Sequence, residues 1–268
     1  MPKNSLAKKQ NILDRKEIPG DPYAYVYRRV DRNNRWFLFY IDSDKGLLNA
    51  LGLPGPGIQK FIEYIPSSNL WDYDRPLGIS LGGDEINDYL FLVNEIDSSL
   101  KGLHSNYFYE LNISCPNTHT GLTIGDDPKL LNELILKMRT LVSNVISVKV
   151  SPDSSNKILN EIGELCSSHS SIIINSGNTQ YKVREDLGFS ENNFSMKGGG
   201  LSGPHLFTRT LEMVRLFSHF EIPIMATGGI STINHVNALE NAGASLFGMA
   251  TSLVLDPYCI PRINKMVK

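Results

Sequence analysis

From Pro76 to the C-terminus, six short apolar runs alternate with helix-length segments, and this alternation limits the chain to a parallel α/β architecture. The runs are Leu77–Leu81, Tyr107–Ile113, Val145–Val150, Ser171–Asn175, Ile222–Ala226 and Ser245–Met249. They are rich in Ile, Val, Leu and Phe and read without polar alternation, as strands buried on both faces of a sheet do. Between them lie Glu85–Leu100, Asp127–Val142, Ser155–Cys166, Pro204–His219 and Ser231–Ala242, each long enough for a helix. Strands regularly separated by helices form βαβ units, so a (β/α) barrel or an open doubly wound sheet is predicted. Ser5–Lys9 reads as the end of a seventh strand, where a closed barrel needs eight.

The front of the chain has another character. Tyr23–Arg29 and Trp36–Ile41 flank Asp31-Arg32-Asn33-Asn34, and Asn tolerates positive φ, so a β-hairpin inserted near the N-terminus is predicted. Leu53-Pro54-Gly55-Pro56-Gly57 reads as a rigid loop leading into a helix near Ile58–Ile65. Barrels of about 200–250 residues form one domain, so residues 1–268 are expected to be a single barrel domain.

Composition narrows the function classes. A hydrophobic fraction of 41% excludes wholesale disorder, and a net charge of -2 lacks the basic excess of a nucleic-acid protein. Residues 1–36 hold nine Lys/Arg against four Asp/Glu, which reads as a solvated basic surface. Cys115, Cys166 and Cys259 are scattered, with neither zinc-ligand spacing nor a disulfide framework, so no metal is expected. No apolar run is long enough for a membrane helix, and the polar start lacks a signal peptide. A cytoplasmic protein without an integral membrane segment is therefore expected.

In parallel α/β folds the chemistry sits at the carboxyl ends of the strands. Asn112-Ile113-Ser114-Cys115-Pro116-Asn117 sets two amides and a thiol at such an end, where amides offer donors and acceptors to a planar polar ligand. Cys115 is open to three readings: nucleophile, base or inert filler. Lys149 lies inside an apolar strand, where a charge is costly unless an anion, a carbonyl or a structural ion pair meets it. Asn175-Ser176-Gly177-Asn178 repeats the amide theme. Glycines follow at Gly198–Gly203, Gly228-Gly229 and Gly248, where backbone N–H groups can approach an anion, and barrels often bind phosphate after their last two strands.

Taken in order, NISCPN (Asn112–Asn117), KVSPD (Lys149–Asp153), GLSG (Gly200–Gly203), ATGGI (Ala226–Ile230) and GAS (Gly243–Ser245) resemble the dihydroorotate dehydrogenase family. Leu48–Leu53 resembles that family's loop of Asn, small residue, hydrophobe and Gly. The resemblance implies an FMN-bearing (β/α)8 TIM barrel that oxidises the small molecule dihydroorotate to orotate in pyrimidine biosynthesis. It makes Cys115 the base that takes the C5 proton while hydride passes from C6 to flavin N5. It makes Asn49, Asn112, Asn117, Asn175 and Ser176 contacts to the pyrimidine. It assigns Lys149, Gly200, Gly203, Gly228, Gly229, Ala250 and Thr251 to FMN. Lys8, or Lys9 in an alternative alignment, matches a second lysine near substrate and flavin.

The resemblance also carries departures. A Cys base is typical of the soluble class, whereas KVSPD and GLSG resemble the quinone-linked class, so fumarate, NAD through a partner and quinone all stay open as electron acceptor. His119 sits in a loop of neither class's usual form and reads as a solvated side chain. The family's first strand–helix unit has no counterpart before Lys8. A shortened barrel with a gap between two strands is therefore expected, less stable than a closed one and weak in FMN binding. Two other readings compete: a pyrimidine-reducing FMN barrel of the dihydropyrimidine dehydrogenase type, and a degenerate barrel with a binding role. Asn117 favours orotate over the first. A homodimer is compatible with the sequence.

Overall fold

Amphipathic spacing and capping residues set the helices. In Ile86–Leu100 the buried residues Tyr89, Val93, Ile96 and Leu100 recur at helical intervals, and Glu85 and Asp88 cap each other's backbone N–H groups at its start. Ser155 caps Asn156–Ser167, whose buried stripe is Leu159, Ile162, Gly163 and Cys166. Asp127 accepts from the Lys129 and Leu130 amides and starts Pro128–Arg139, with proline at the first position, where its missing N–H is not needed.

The computed structural model describes residues 14–18, 21–28, 38–41, 46–50, 56–113, 124–192 and 194–267. Its strands in chain order are β1 (Asp14–Ile18), β2 (Asp21–Arg28), β3 (Leu38–Ile41), β4 (Gly46–Asn49), β5 (Leu77–Leu81), β6 (Tyr107–Asn112), β7 (Ile146–Val150), β8 (Ile172–Ser176), β9 (Gln180–Val183), β10 (Gly198–Ser202), β11 (Ile224–Thr227) and β12 (Leu246–Gly248). The helices are α1 (Ile58–Tyr64), α2 (Ile86–Leu100), α3 (Pro128–Arg139), α4 (Asn156–Ser167), α5 (Phe207–Phe217), α6 (Ile233–Asn241), α7 (Thr251–Leu255) and α8 (Cys259–Asn264). All six sequence-derived barrel strands and the five long helices between them are present, with ends shifted by a few residues.

The six form one parallel sheet in the order β12-β11-β8-β7-β6-β5. Among the described residues β5 and β12 are its open edges, as the strand count predicts for an unclosed barrel. The helix-facing side is apolar: Ile79, Tyr109, Leu111, Val148, Ile174 and Ala226 pack with Val93, Leu134, Leu159, Val214 and Leu239 in one core. The expectation of strands apolar on both sides needs correcting. Tyr109-Glu110-Leu111-Asn112 and Val148-Lys149-Val150 alternate, so the face away from the helices turns polar toward the carboxyl ends.

A second, antiparallel sheet has the order β3-β4-β10-β9. Its β9 and β10 arise in the excursion after β8, so it belongs to the carboxyl end of the parallel sheet. The Tyr181 amide donates to Asp153 in the loop after β7 (2.8 Å), and the Thr251 hydroxyl donates to Ser202 (2.8 Å). Leu48, Phe194 and Leu201 form its small core. Here the glycine run serves packing. A Cβ on Gly199 would lie 2.4 Å from the Asn49 carbonyl, and one on Gly200 2.1 Å from the Thr179 hydroxyl. Side chains there would force the strands apart.

The two segments of the predicted hairpin are the strands β2 and β3, which lie against each other, and each also has a further partner. β2 pairs antiparallel with β1, with Ile18 opposite Asp21, and β3 pairs with β4, with Ile41 opposite Gly46.

The core predicts its own response to truncation. Leu134 on α3 is fully buried and Leu136 is half exposed. Leu134→Ala should cost about 2–5 kcal/mol in chemical denaturation, against roughly 0.5 kcal/mol or less for Leu136→Ala.

Candidate active site

Strand register places three polar residues in one row. Asn112 at the end of β6 lies opposite Lys149 of β7, and Lys149 lies opposite Asn175 of β8. Asn112 and Asn175 are buried, and Lys149 keeps 22% of its side chain exposed. One layer below, Glu110 occupies the same face of β6. Its Oε2 accepts from Asn175 Nδ2 at 2.8 Å, and its Oε1 accepts from the Ser80 hydroxyl of β5 at 3.0 Å. Lys149 Nζ stands 3.8 Å from the same Oε1. Four neighbouring strands thus meet in one hydrogen-bonded and charged cluster.

The cluster leaves acceptors unused. Among the described residues, the buried Oδ1 atoms of Asn112 and Asn175 have no hydrogen-bond partner, and neither does Thr227 Oγ1 at the end of β11. Buried polar atoms are nearly always satisfied, so these three ask for a ligand or for water. A flat ligand edge bearing N–H groups fits the two amide oxygens.

The remaining sequence-derived residues fall around this row. Asn49 on β4 donates to the Gly200 carbonyl at 3.1 Å, which ties its amide to the antiparallel sheet. Ser176 follows Asn175 but is fully buried, and its hydroxyl donates to the Met225 carbonyl at 3.3 Å. Strand alternation turns it away from the row. Gly228 and Gly229 follow β11, and Gly229 has φ 71°, with room for a Cβ blocked 2.5 Å away by the Phe207 amide nitrogen. That turn keeps bare backbone beside the start of α5. Gly203 bends the chain after β10 at φ 132°. Ala250 precedes α7, and Thr251 is engaged by Ser202. Lys8, Lys9, Cys115, Asn117 and His119 lie outside the described residues.

Sequence reasoning missed two members of the site, Glu110 and Thr227. The signal for Glu110 was available: a carboxylate inside an apolar strand, two residues before Asn112 and so on the same face. It is as costly there as the lysine that was noticed. For Lys149 the sequence left an anion, a carbonyl and an ion pair open, and the structure supplies the ion pair in Glu110. No group of three or more metal-ligating side chains occurs among the described residues. No described helix is long and apolar enough to cross a membrane.

A family model described as dihydroorotate dehydrogenase matches residues 38–268. The chain is 32% identical over 226 residues to dihydroorotate dehydrogenase B (NAD(+)), catalytic subunit, of Bacillus thuringiensis, a match covering 83% of this chain and 70% of that one. The chain belongs to the dihydroorotate dehydrogenase family. The catalytic subunit of the same name from Bacillus pumilus is likewise 32% identical, with the same two coverages. In fold, the chain is similar to the dihydroorotate dehydrogenase of Eimeria tenella solved with ferulenol, at a TM-score of 0.71 and 18% identity, covering 89% of this chain and 70% of that one. The ligand-free form from the same organism gives 0.68 at 19% identity, covering 89% and 73%. Membership places the chain among oxidoreductases and the sheet among TIM barrels. The row lies at the carboxyl end of that sheet, where such folds carry their chemistry.

The described cysteines, Cys166 and Cys259, are both buried and free. Burial pushes the Cys166 thiol up to about 12, so it stays neutral at ordinary pH and offers no thiolate. Iodoacetamide should therefore leave Cys166 unmodified in the folded chain at mildly alkaline pH and modify it in denaturant, as peptide mass mapping would show.

Proposed function

We propose that this chain oxidises dihydroorotate to orotate in pyrimidine biosynthesis, with FMN held across the polar face of the parallel sheet. The observation that carries the reading is the Asn112–Lys149–Asn175 row, with buried amide oxygens that lack partners among the described residues. A pyrimidine supplies N–H donors to such oxygens. The residues also fit the cofactor. Lys149 stands where a charge can face a flavin, and the Gly228-Gly229 turn keeps backbone free for a phosphate.

FMN, when bound, accepts the hydride. The chain's residues do the rest. Asn112 and Asn175 orient the pyrimidine, with Asn49 and Asn117 as further contacts, while Ser176, expected beside them, faces away from the row. Cys115 takes the C5 proton as base, which requires neighbours that favour its thiolate. Lys149 puts a positive charge where negative charge develops on the reduced cofactor. Gly200, Gly203, Gly228, Gly229, Ala250 and Thr251 line the cofactor's side, and Lys8 completes the set.

Cys115 gives the sharpest test of the mechanism. Cys115→Ala should slow flavin reduction by dihydroorotate by roughly 100- to 10,000-fold in stopped flow while orotate still binds. Cys115→Ser should keep some activity with its pH profile moved upward, because a hydroxyl gives up its proton less readily than a thiol. Equal reduction rates in wild type and Cys115→Ala would remove the assignment.

Lys149 gives a second. Lys149→Met removes a charge that favours the reduced cofactor, so the flavin potential should fall by about 30–60 mV, equivalent to about 1.4–2.8 kcal/mol for two electrons. An unchanged potential at full flavin occupancy would leave Lys149 as the ion-pair partner of Glu110 alone.

A further inference from the structure

Glu110 belongs to the candidate site by position, yet both of its oxygens are already engaged. Oε1 takes the Ser80 hydroxyl and faces Lys149, and Oε2 takes the Asn175 amide. A carboxylate so occupied is poorly placed to abstract a proton or to bind a ligand directly. It is well placed to orient what does.

The chemistry of the contact fixes that orientation. A carboxylate only accepts hydrogen bonds, so the end of the Asn175 amide lying 2.8 Å from it must be the NH2 group. The other end, Oδ1, then points away from Glu110, and it is buried without a partner among the described residues. Asn175 itself is 3% exposed, so the end turned away from Glu110 meets little bulk water. Its amide, free of Glu110, could present either end to a ligand. Bound to Glu110, it presents an acceptor.

We propose that Glu110 is a positioning residue that sets the hydrogen-bond polarity of the site: it anchors the Asn175 amide by its nitrogen and turns the oxygen toward the ligand, selecting a pyrimidine that carries an N–H there. The inference rests on the proposed function and deepens it from a binding site to a specificity rule. A ligand methylated at that nitrogen leaves a buried oxygen unpaired and should bind about tenfold more weakly or worse. Lys149, 3.8 Å from the same carboxylate, balances its charge.

The test uses the full chain supplied with FMN, as wild type, Glu110→Gln and Glu110→Ala. Orotate and its two singly N-methylated derivatives are titrated against each. Wild type should discriminate against one methylated form by about tenfold or more, as an unpaired buried acceptor demands. Glu110→Gln keeps the volume but can donate as well as accept, so that discrimination should shrink to about threefold or less. A second readout needs no ligand. In isotope-labelled protein, the Asn175 side-chain amide protons, identified by their loss in Asn175→Ala, should exchange with solvent at least about tenfold more slowly in wild type than in Glu110→Ala. Equal exchange in the two, or full discrimination retained in Glu110→Gln, would overturn the proposal. Slow exchange in a wild type that binds no orotate would uphold the anchoring and refute the pyrimidine reading instead.

Discussion

A carboxylate in the middle of a parallel sheet must be satisfied by the strands beside it, and Glu110 draws on three of them. Ser80 comes from β5, Lys149 from β7 and Asn175 from β8, while Glu110 itself sits on β6. Removing one partner of such a cluster leaves a desolvated charge uncompensated, which costs more than the cluster contributes when whole. The cluster therefore depends on correct register in four adjacent strands at once. A slip of one residue would turn Glu110 toward the apolar helix side. The interaction that satisfies the charge is also the one that aligns the amides above it.

The second sheet completes the surroundings of that row. It grows from the β8–α5 excursion and takes β4 from the front of the chain, so residues far apart in sequence meet at one end of the parallel sheet. Asn49 and Gly200 are directly opposed in this pairing. The glycine run from Gly198 to Gly200 lets three strands close up, and Thr251 ties the end of β10 to the segment after β12. The region is thus a packed layer with its own small core of Leu48, Phe194 and Leu201, and the polar row lies at the same end of the fold.

Much of this was legible in the sequence because the signals were strong. Six apolar runs and five helical segments carry their own periodicity, and each became an element in the expected order. Asn112, Lys149 and Asn175 were visible as polar interruptions of apolar strands. What stayed hidden depends on pairing rather than on composition. The further partners of β2 and β3, namely β1 and β4, could not be read from two aromatic segments flanking an Asn pair, because a strand's second neighbour leaves no mark in its own sequence. The close packing of Gly198–Gly200 against Asn49 and Thr179 was not legible, because glycine serves strand packing and phosphate approach equally well. Glu110 was overlooked because it matters through Asn175, a contact between strands 65 residues apart.

The central claim is that the polar row serves flavin-linked oxidation of a pyrimidine. The most direct measurement is the absorbance spectrum of the FMN-loaded chain, recorded without oxygen before and after adding dihydroorotate. The account predicts bleaching of the oxidised flavin bands with one orotate formed per flavin reduced. A flavin-loaded chain whose spectrum is unchanged by dihydroorotate, yet bleaches with dithionite, would contradict it.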